Sequence, residues 1–439
     1  MASEDAPAAG SAGGGLLIIG SSQAGVQLAG SLRALGYTPP ITLLGDENHR
    51  PYQRPALSKE FLQGLVSAES LIFRSAEYWD EHRISLVKGE RITTVERGPD
   101  GSGVAVAASG TRFPFDRLAL TVGARARTID IPGHDLDGVL YLRNADDALE
   151  LRRRMPDATD IVVVGGGFIG IEAAASALKM GKNATVLEAG PRLVGRAVGP
   201  ETSAHLLEAH RERAMRIELD AKVTRIAGAN GSVTGVELAD GRVLPAQIVL
   251  VGIGVAPNVE LAQTMGLVCD DGIRVDEYAL ASDGTTVAVG DCANMPNPVP
   301  GADPGDRIRV ESVNNAIEHA KIAAYSLTGR RTEYTSIPWF WSNQGDLKLQ
   351  IAGLSTGYDT TVVRRDESKG KYTVLYYRAG RVIAADCINN PLDFMAVRGA
   401  LAKGADIPAD LAADPATALK TITTESADVL SASTSPESR

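Results

Sequence analysis

Two acidic residues, each lying somewhat beyond a glycine-rich turn, carry the first chemical signal in this chain. Glu188 lies 23 residues after Gly165, and Asp46 lies 26 residues after Gly20. A carboxylate about 20 residues past such a turn binds ribose hydroxyls, and the turn itself holds a pyrophosphate. The turn GGGFIG at 165–170 fits G-x-G-x-x-G through Gly165, Gly167 and Gly170. The first glycine permits the tight turn, the second lets the backbone approach the phosphates, and the third lets helix pack on strand. Phe168 and Ile169 open the helix whose free N–H groups and macrodipole favour an anion. Glu188 would repel a 2′-phosphate, so NADH is favoured over NADPH. The turn GSSQAG at 20–25 repeats the pattern with Ser22 at the middle glycine. Serine is small, so it hinders phosphate only slightly, and its hydroxyl can donate a hydrogen bond. Gly20, Ser22, Gln23, Ala24, Gly25 and Asp46 form this first candidate set.

Both turns need a strand before them and a helix after. Residues 161–164 (IVVV) and 16–19 (LLII) are short apolar runs of the kind found in buried parallel strands. Helix-forming stretches follow, the first to about Leu35 and the second with four alanines. Residues 41–44 and 184–187 then read as the next strands, each ending near its acid. Two complete units 145 residues apart imply two nucleotides. Hydride transfer between a nicotinamide and a flavin would use both.

The 439-residue length suits two to three domains. With 44 basic and 54 acidic residues the net charge is −10, which argues against a general nucleic-acid binder. No apolar stretch approaches the ~18 residues that span a bilayer, and no signal peptide is recognisable. Cys269, Cys292 and Cys387 are too widely spaced for a disulfide framework or a metal motif, so a reducing, cytoplasmic setting is expected.

Further motifs occur in a telling order: RPALSK at 54–59, GDCA at 290–293, VESV at 310–313 and PWFWS at 338–342. With the first fingerprint they make the chain resemble the FAD-dependent NADH:ferredoxin reductases of the putidaredoxin reductase and rhodocoxin reductase type, which include the reductase components of aromatic-ring dioxygenases. The resemblance runs from about Leu16 to Leu411. It implies an α/β, glutathione-reductase-like fold with two Rossmann-type nucleotide-binding domains and a C-terminal α/β domain. FAD would be bound by segments 14–122 and 258–336, and NAD by an inserted domain at 145–257 after a connection at 123–144. A C-terminal interface domain would span 337–415. Residues 1–13 and 416–439, poor in aliphatics, read as disordered tails. The apolar runs LALTVG at 118–123 and IVLVGIG at 248–254, each ending in glycine, support these boundaries independently; the second places Gly254 among the NAD candidates.

The resemblance also distributes roles. Ile92 and Arg143 fall on the adenine and phosphate side of FAD, Asp291 on the ribityl chain, and Val313 at the pyrimidine end. Trp341, with Trp339, falls near the dimethylbenzene edge. Lys59, on a helix expected over residues 56–62, matches a lysine that pairs with a glutamate near flavin N5. That glutamate matches Glu172, two residues after Gly170. The pair would position the nicotinamide and balance charge, while the hydride chemistry belongs to the cofactors.

An absence separates subfamilies. Disulfide reductases of this architecture carry C-x-x-x-x-C on the helix after the FAD fingerprint; here no cysteine precedes Cys269. Electrons must therefore leave the flavin directly, which suits a one-electron acceptor such as a [2Fe–2S] ferredoxin, or a rubredoxin, serving a cytochrome P450 or ring-hydroxylating oxygenase. Arg74, Arg307, Arg309, Lys321, Arg330 and Arg331 are candidate docking cations. Two other readings share most of these residues: reduction of a small molecule such as monodehydroascorbate or a quinone, and an NADH-sensing interaction protein resembling apoptosis-inducing factor. The sequence is compatible with a monomer or a homodimer.

Overall fold

A computed structural model describes residues 14–299, 302–303 and 305–424. The expected tail at 1–13 lies outside the described residues. Among the described residues no helix is long and apolar enough to cross a membrane.

Two parallel five-stranded sheets are built to one plan. In the first, Leu16–Ile19 is central, with Ile41–Leu44 and Ile84–Val87 on one side and Arg117–Leu120 and Val287–Ala288 on the other. In the second, Asp160–Val164 is central, flanked by Asn183–Leu187 and Arg216–Glu218 and by Ile248–Val251 and Val139–Leu140. All four residues of Leu16–Ile19 and of Ile248–Val251 are buried, as expected of strands covered on both faces. The order reverses beside each central strand, and the crevice outside its carboxyl end is where such sheets bind ligands. Each sheet also carries a three-stranded antiparallel extension, at residues 92–115 and 223–245. The two chain crossings between the halves pair with one another, Ala124–Ala126 against Val255–Pro257. Part of the expected connection at 123–144 is thus structured: Val139–Leu140 is the edge strand of the second sheet, too short to show a pattern of its own.

The C-terminal part is an antiparallel sheet of five strands, Trp339–Gln344, Leu347–Gly353, Arg381–Ile388, Lys371–Arg378 and Thr360–Asp366 in spatial order, with helix Pro391–Ala402 against it. Residues 416–424, expected in a disordered tail, are instead packed. Leu419 is buried, Thr424 bridges to Asp406, and the buried guanidinium of Arg364 donates to the carbonyl oxygens of Asp414 and Thr417. One basic side chain thereby reaches carbonyls at the start of a segment whose own composition looks unstructured.

This sheet is fastened to the second nucleotide-binding fold by Tyr376, fully buried, whose hydroxyl donates to Asp386 at 2.5 Å and accepts from the Gly199 N–H at 2.9 Å. Burial pushes the Asp386 carboxyl up to about 6. The folded state therefore holds this proton more tightly than the unfolded chain. Its contribution is complete below the unfolded carboxylate range and is lost as pH rises through about 6. Asp386→Asn is expected to gain up to about 3 kcal/mol relative to the parent on going from pH ~4 to pH ~7. Parallel unfolding-versus-pH curves for the two proteins would contradict this.

Candidate functional site

At the first fingerprint, Gly20 has φ 115°, and a Cβ there would lie 2.2 Å from the Thr121 carbonyl oxygen. A Cβ on Gly25 would lie 2.0 Å from the Gly20 oxygen, so helix Gln23–Ala34 abuts the turn at that point. The first N–H bonded within this helix is that of Val26, to the Ser22 oxygen at 3.0 Å. The N–H groups of Gln23, Ala24 and Gly25 precede it and are free of intrahelical bonds. Ser22 occupies the N-cap but makes no cap hydrogen bond; its hydroxyl accepts from Arg54 Nε at 3.1 Å. Arg54 also pairs with Glu47 and donates to the Arg143 carbonyl at 2.8 Å, while the Tyr52 hydroxyl donates to Glu47 at 2.6 Å. Arg54, Glu47 and Tyr52 escaped the sequence reading, although Arg54 opens the RPALSK run. Asp46 stands exposed at the strand end with no ion pair among the described residues. Arg143 Nη2 donates to Asp291 at 3.1 Å, bringing together two residues 148 apart in the chain. Gly290, φ 78°, sets the turn Gly290–Cys292 against Ala24, its would-be Cβ 3.3 Å from the alanine methyl. Ser312 caps helix Val313–Leu327 by accepting from the Asn315 N–H, which places half-buried Val313 first in that helix. Ile92 is a core side chain, 9% exposed.

The second fingerprint repeats the geometry. Gly165 has φ 113°, and a Cβ on Gly170 would lie 2.4 Å from the Gly165 oxygen. A Cβ on Gly167 would meet only one atom, the Gly252 oxygen at 3.9 Å. Nothing in the protein requires glycine there for packing, and the space is a cradle that a side chain would fill. Helix Phe168–Lys179 follows, with Ile169 45% exposed and the first internal bond from the Ile171 N–H to the Gly167 oxygen. Glu188 is held at the strand end by the N–H groups of Gly166 and Gly190, each 2.7 Å from a carboxylate oxygen. Gly254, φ 110°, lies where the strand Ile248–Val251 leaves the sheet, beside Arg196.

The two folds meet at Lys59 and Glu172, which are 8% and 3% exposed. Lys59 Nζ donates to Glu172 Oε2 at 2.5 Å, and the Ser58 hydroxyl donates to the same oxygen at 2.6 Å. The expected helix over residues 56–62 is absent. Arg54–Ala56 forms a single 3₁₀ turn begun by Pro55, and irregular turns continue to Gly64, φ 76°. Lys59 is nonetheless fixed, because its N–H donates to the Ala56 oxygen and its oxygen accepts from Gln63 N–H, both at 3.0 Å. Strand Trp339–Gln344 borders this contact. Phe340 packs on Phe168 with ring centroids 4.6 Å apart, while Trp341, half-buried on the other face, lies 5.5 Å from Trp339.

With this geometry in place, similarity to known proteins is informative. Residues 15–320 match the family described as pyridine nucleotide-disulphide oxidoreductase, and residues 339–423 match the reductase C-terminal family. The chain belongs to the pyridine nucleotide-disulphide oxidoreductase family. It is 43% identical to rhodocoxin reductase of Rhodococcus erythropolis over 91% of this chain and 92% of that one. The crystal structure of a ferredoxin reductase from Rhodopseudomonas palustris superposes with a TM-score of 0.88 at 40% identity, covering 92% of this chain and 98% of that one. Putidaredoxin reductase in its covalent complex with putidaredoxin also gives 0.88, at 33% identity and 96% and 99% coverage.

The residues of this oxidoreductase fit FAD and NADH. Two glycine turns sit at the carboxyl ends of central parallel strands, two helix N-termini have open N–H groups, and Gly167 leaves an unfilled cradle. Buried oxygens of Asn314 and Asn315 and the His319 Nε2 atom, all on helix Val313–Leu327, find no partner among the described residues. A protein dithiol is not part of the site. Cys292 and Cys387 are fully buried, and burial pushes the Cys292 thiol up to about 11. Of the candidate docking cations, Arg307 is committed to the Val275 and Asn294 carbonyls, Arg309 pairs with Glu311 and Asp271, and Lys321 pairs with Glu318. Arg74 and Arg331 lie over tyrosine rings and Arg330 is exposed, and none of the three makes an ion pair among the described residues. Glu188→Ala is expected to narrow the preference for NADH over NADPH about tenfold, chiefly by weakening NADH binding and lifting repulsion of the 2′-phosphate. An unchanged kcat/KM ratio would contradict that role.

Proposed function

We propose that this protein is a flavoprotein NADH:ferredoxin oxidoreductase that passes electrons from NADH through FAD to a [2Fe–2S] ferredoxin or a rubredoxin, which in turn serves a cytochrome P450 or ring-hydroxylating oxygenase. The observation that carries the reading is the buried Lys59–Glu172 pair joining two dinucleotide-type folds in a chain with no cysteine before Cys269. FAD belongs to the fold built from residues 14–122 and 258–336, and NADH to the one inserted between. The reduced nicotinamide, FAD and the carrier that follows supply the redox chemistry, two electrons entering as hydride and leaving singly. The chain's own residues bind and orient. The open N–H groups of residues 23–25 and of 168–170 receive the two pyrophosphates. Asp46 and Glu188 would bind ribose hydroxyls, and Asp291, steadied by Arg143, would bind the ribityl chain of FAD. Lys59 and Glu172 would present a neutral pair to the flavin and nicotinamide rings, and their burial would keep solvent from that contact. Trp339 and Trp341 line the side by which electrons leave, and Arg74, Arg330 and Arg331 favour an acidic partner. Three unpaired thiols support a cytoplasmic setting.

The test is cytochrome c reduction by the purified flavoprotein with NADH, with and without added [2Fe–2S] ferredoxin or rubredoxin. Dependence on the carrier is expected. Equal rates with and without every carrier would sink the reading, and rapid turnover with a quinone or monodehydroascorbate alone would replace it.

A further inference from the structure

Glu172 is tied to more than Lys59, and the additional ties come from the C-terminal sheet. Along strand Trp339–Gln344 the even-numbered residues face helix Phe168–Lys179. Phe340 meets Phe168, and one turn further along the helix the Ser342 hydroxyl donates to Glu172 Oε1 at 2.7 Å. Gln344 Nε2 then donates to Ser342 Oγ at 3.1 Å, and His210 Nε2 lies 2.7 Å from Gln344 Oε1. Gln344 Oε1 can only accept, so His210 is the donor. Burial holds the His210 imidazole below its usual range, and the charges that act on it among the described residues, Arg213 and Asp346, pair with each other at 2.7 Å. His210 Nε2 therefore carries a proton.

Every donor in this row points the same way: His210 to Gln344, Gln344 to Ser342, Ser342 to the carboxylate. Ser342 and Gln344 are 0% exposed and His210 1%, so no solvent competes for these groups. Aligned hydrogen bonds polarise one another in such surroundings. The carboxylate is therefore gripped on both oxygens, Oε2 by Lys59 and Ser58 and Oε1 by Ser342. Ser58 and Lys59 belong to the first fold, Glu172 to the second and Ser342 to the third. With only the Lys59 side held, the carboxylate would be free to rotate about its last bond.

We propose that Ser342, backed by Gln344 and His210, is a positioning residue for hydride transfer, fixing the plane of the Glu172 carboxylate from the C-terminal sheet. This rests on the reading of Lys59 and Glu172 given above. The mechanism is geometric: the pair faces the contact between the two rings, and a carboxylate that turns away alters both the charge and the alignment there.

The experiment is a double-mutant cycle of Ser342→Ala and Glu172→Gln in the FAD-loaded protein, with Ser342→Thr as the conservative variant. Three readouts are taken: the rate of flavin bleaching by NADH, NAD⁺ affinity by calorimetry, and the thermal unfolding midpoint. Ser342→Ala is expected to slow bleaching about tenfold, as loss of one charge-assisted hydrogen bond implies, with NAD⁺ affinity within about twofold. Ser342→Thr should recover most of the rate. In the Glu172→Gln background Ser342→Ala should add less than about twofold, and the two substitutions should be non-additive in unfolding as well. An independent tenfold loss in that background, or an unchanged rate in Ser342→Ala alone, overturns the proposal. Glu172→Gln without effect on bleaching overturns the parent reading too. Should Ser342→Ala fail to fold, Gln344→Leu is taken through the same cycle against the same criteria.

Discussion

Lys59→Ala is expected to slow reduction of the bound flavin by NADH by about a hundredfold while changing NAD⁺ affinity only a few-fold. The lysine nitrogen touches Glu172 and Ser58, and the residue is 8% exposed. Its removal leaves a 3%-exposed carboxylate with hydroxyl donors only, from Ser58 and Ser342. Two consequences separate cleanly. Stripping one partner from a buried ion pair costs about 3–5 kcal/mol of stability, because the remaining charge stays desolvated. The loss of alignment at the reacting rings costs rate. Lys59→Met with Glu172→Gln removes both charges and should recover much of the stability without recovering the rate. Stopped-flow bleaching and denaturant unfolding of the parent and the two variants check this. A double variant as fast as the parent would mean that the pair serves folding alone.

Gly25→Ala is expected to yield protein that purifies without FAD. The added Cβ would fall 2.0 Å from the Gly20 oxygen, 2.9 Å from Thr121 Oγ1 and 3.0 Å from Leu43 Cδ1. The first of these is backbone, so no rotamer change relieves it, and helix Gln23–Ala34 must move away from the turn. That displacement carries the open N–H groups of residues 23–25 off the phosphate position. The stability cost lies near the upper end of overpacking, about 3 kcal/mol. The contrast is Gly167→Ser, which recreates in the second fingerprint what Ser22 is in the first. Its Cβ would meet nothing closer than 3.9 Å, so the fold should be unaffected and only NADH binding weakened. Flavin absorbance per protein and the unfolding midpoint distinguish the cases. Full FAD content in Gly25→Ala would contradict the close-packed turn.

The parts of this architecture that repeat locally were legible in the residues. Leu16–Ile19 and Ile41–Leu44 form strands at the positions their apolar runs indicate, and both glycine turns are tight at their first residue, with φ 115° at Gly20 and 113° at Gly165. Lys59 and Glu172 came together through resemblance to a family, since no spacing rule connects residues 113 apart. Ser58 and Ser342 grip the same carboxylate but carried no signal, because serine is common and its partner is set by tertiary contact. The helix expected over residues 56–62 is replaced by the 3₁₀ turn Arg54–Ala56, which contains Pro55, and by turns that run to Gly64, φ 76°. Residues 416–424 misled in the other direction: they look unstructured by composition but pack, with Leu419 buried, Thr424 bridged to Asp406 and the Thr417 oxygen accepting from Arg364. Arg307 and Arg309 resembled free cations and proved to be committed, which only carbonyl and carboxylate positions could reveal.

The most direct measurement of electron flow is anaerobic double-mixing stopped flow. The flavoprotein is first reduced with one equivalent of NADH, then mixed with oxidised [2Fe–2S] ferredoxin or rubredoxin, with flavin and iron–sulfur bands followed separately. Flavin colour is expected to return in step with carrier bleaching, two carriers reduced per flavin, at a rate that falls as salt is raised. Reduced flavin that persists in the presence of every such carrier, yet recovers with a quinone or only slowly in air, would contradict the assignment of this protein as a reductase of iron–sulfur carriers.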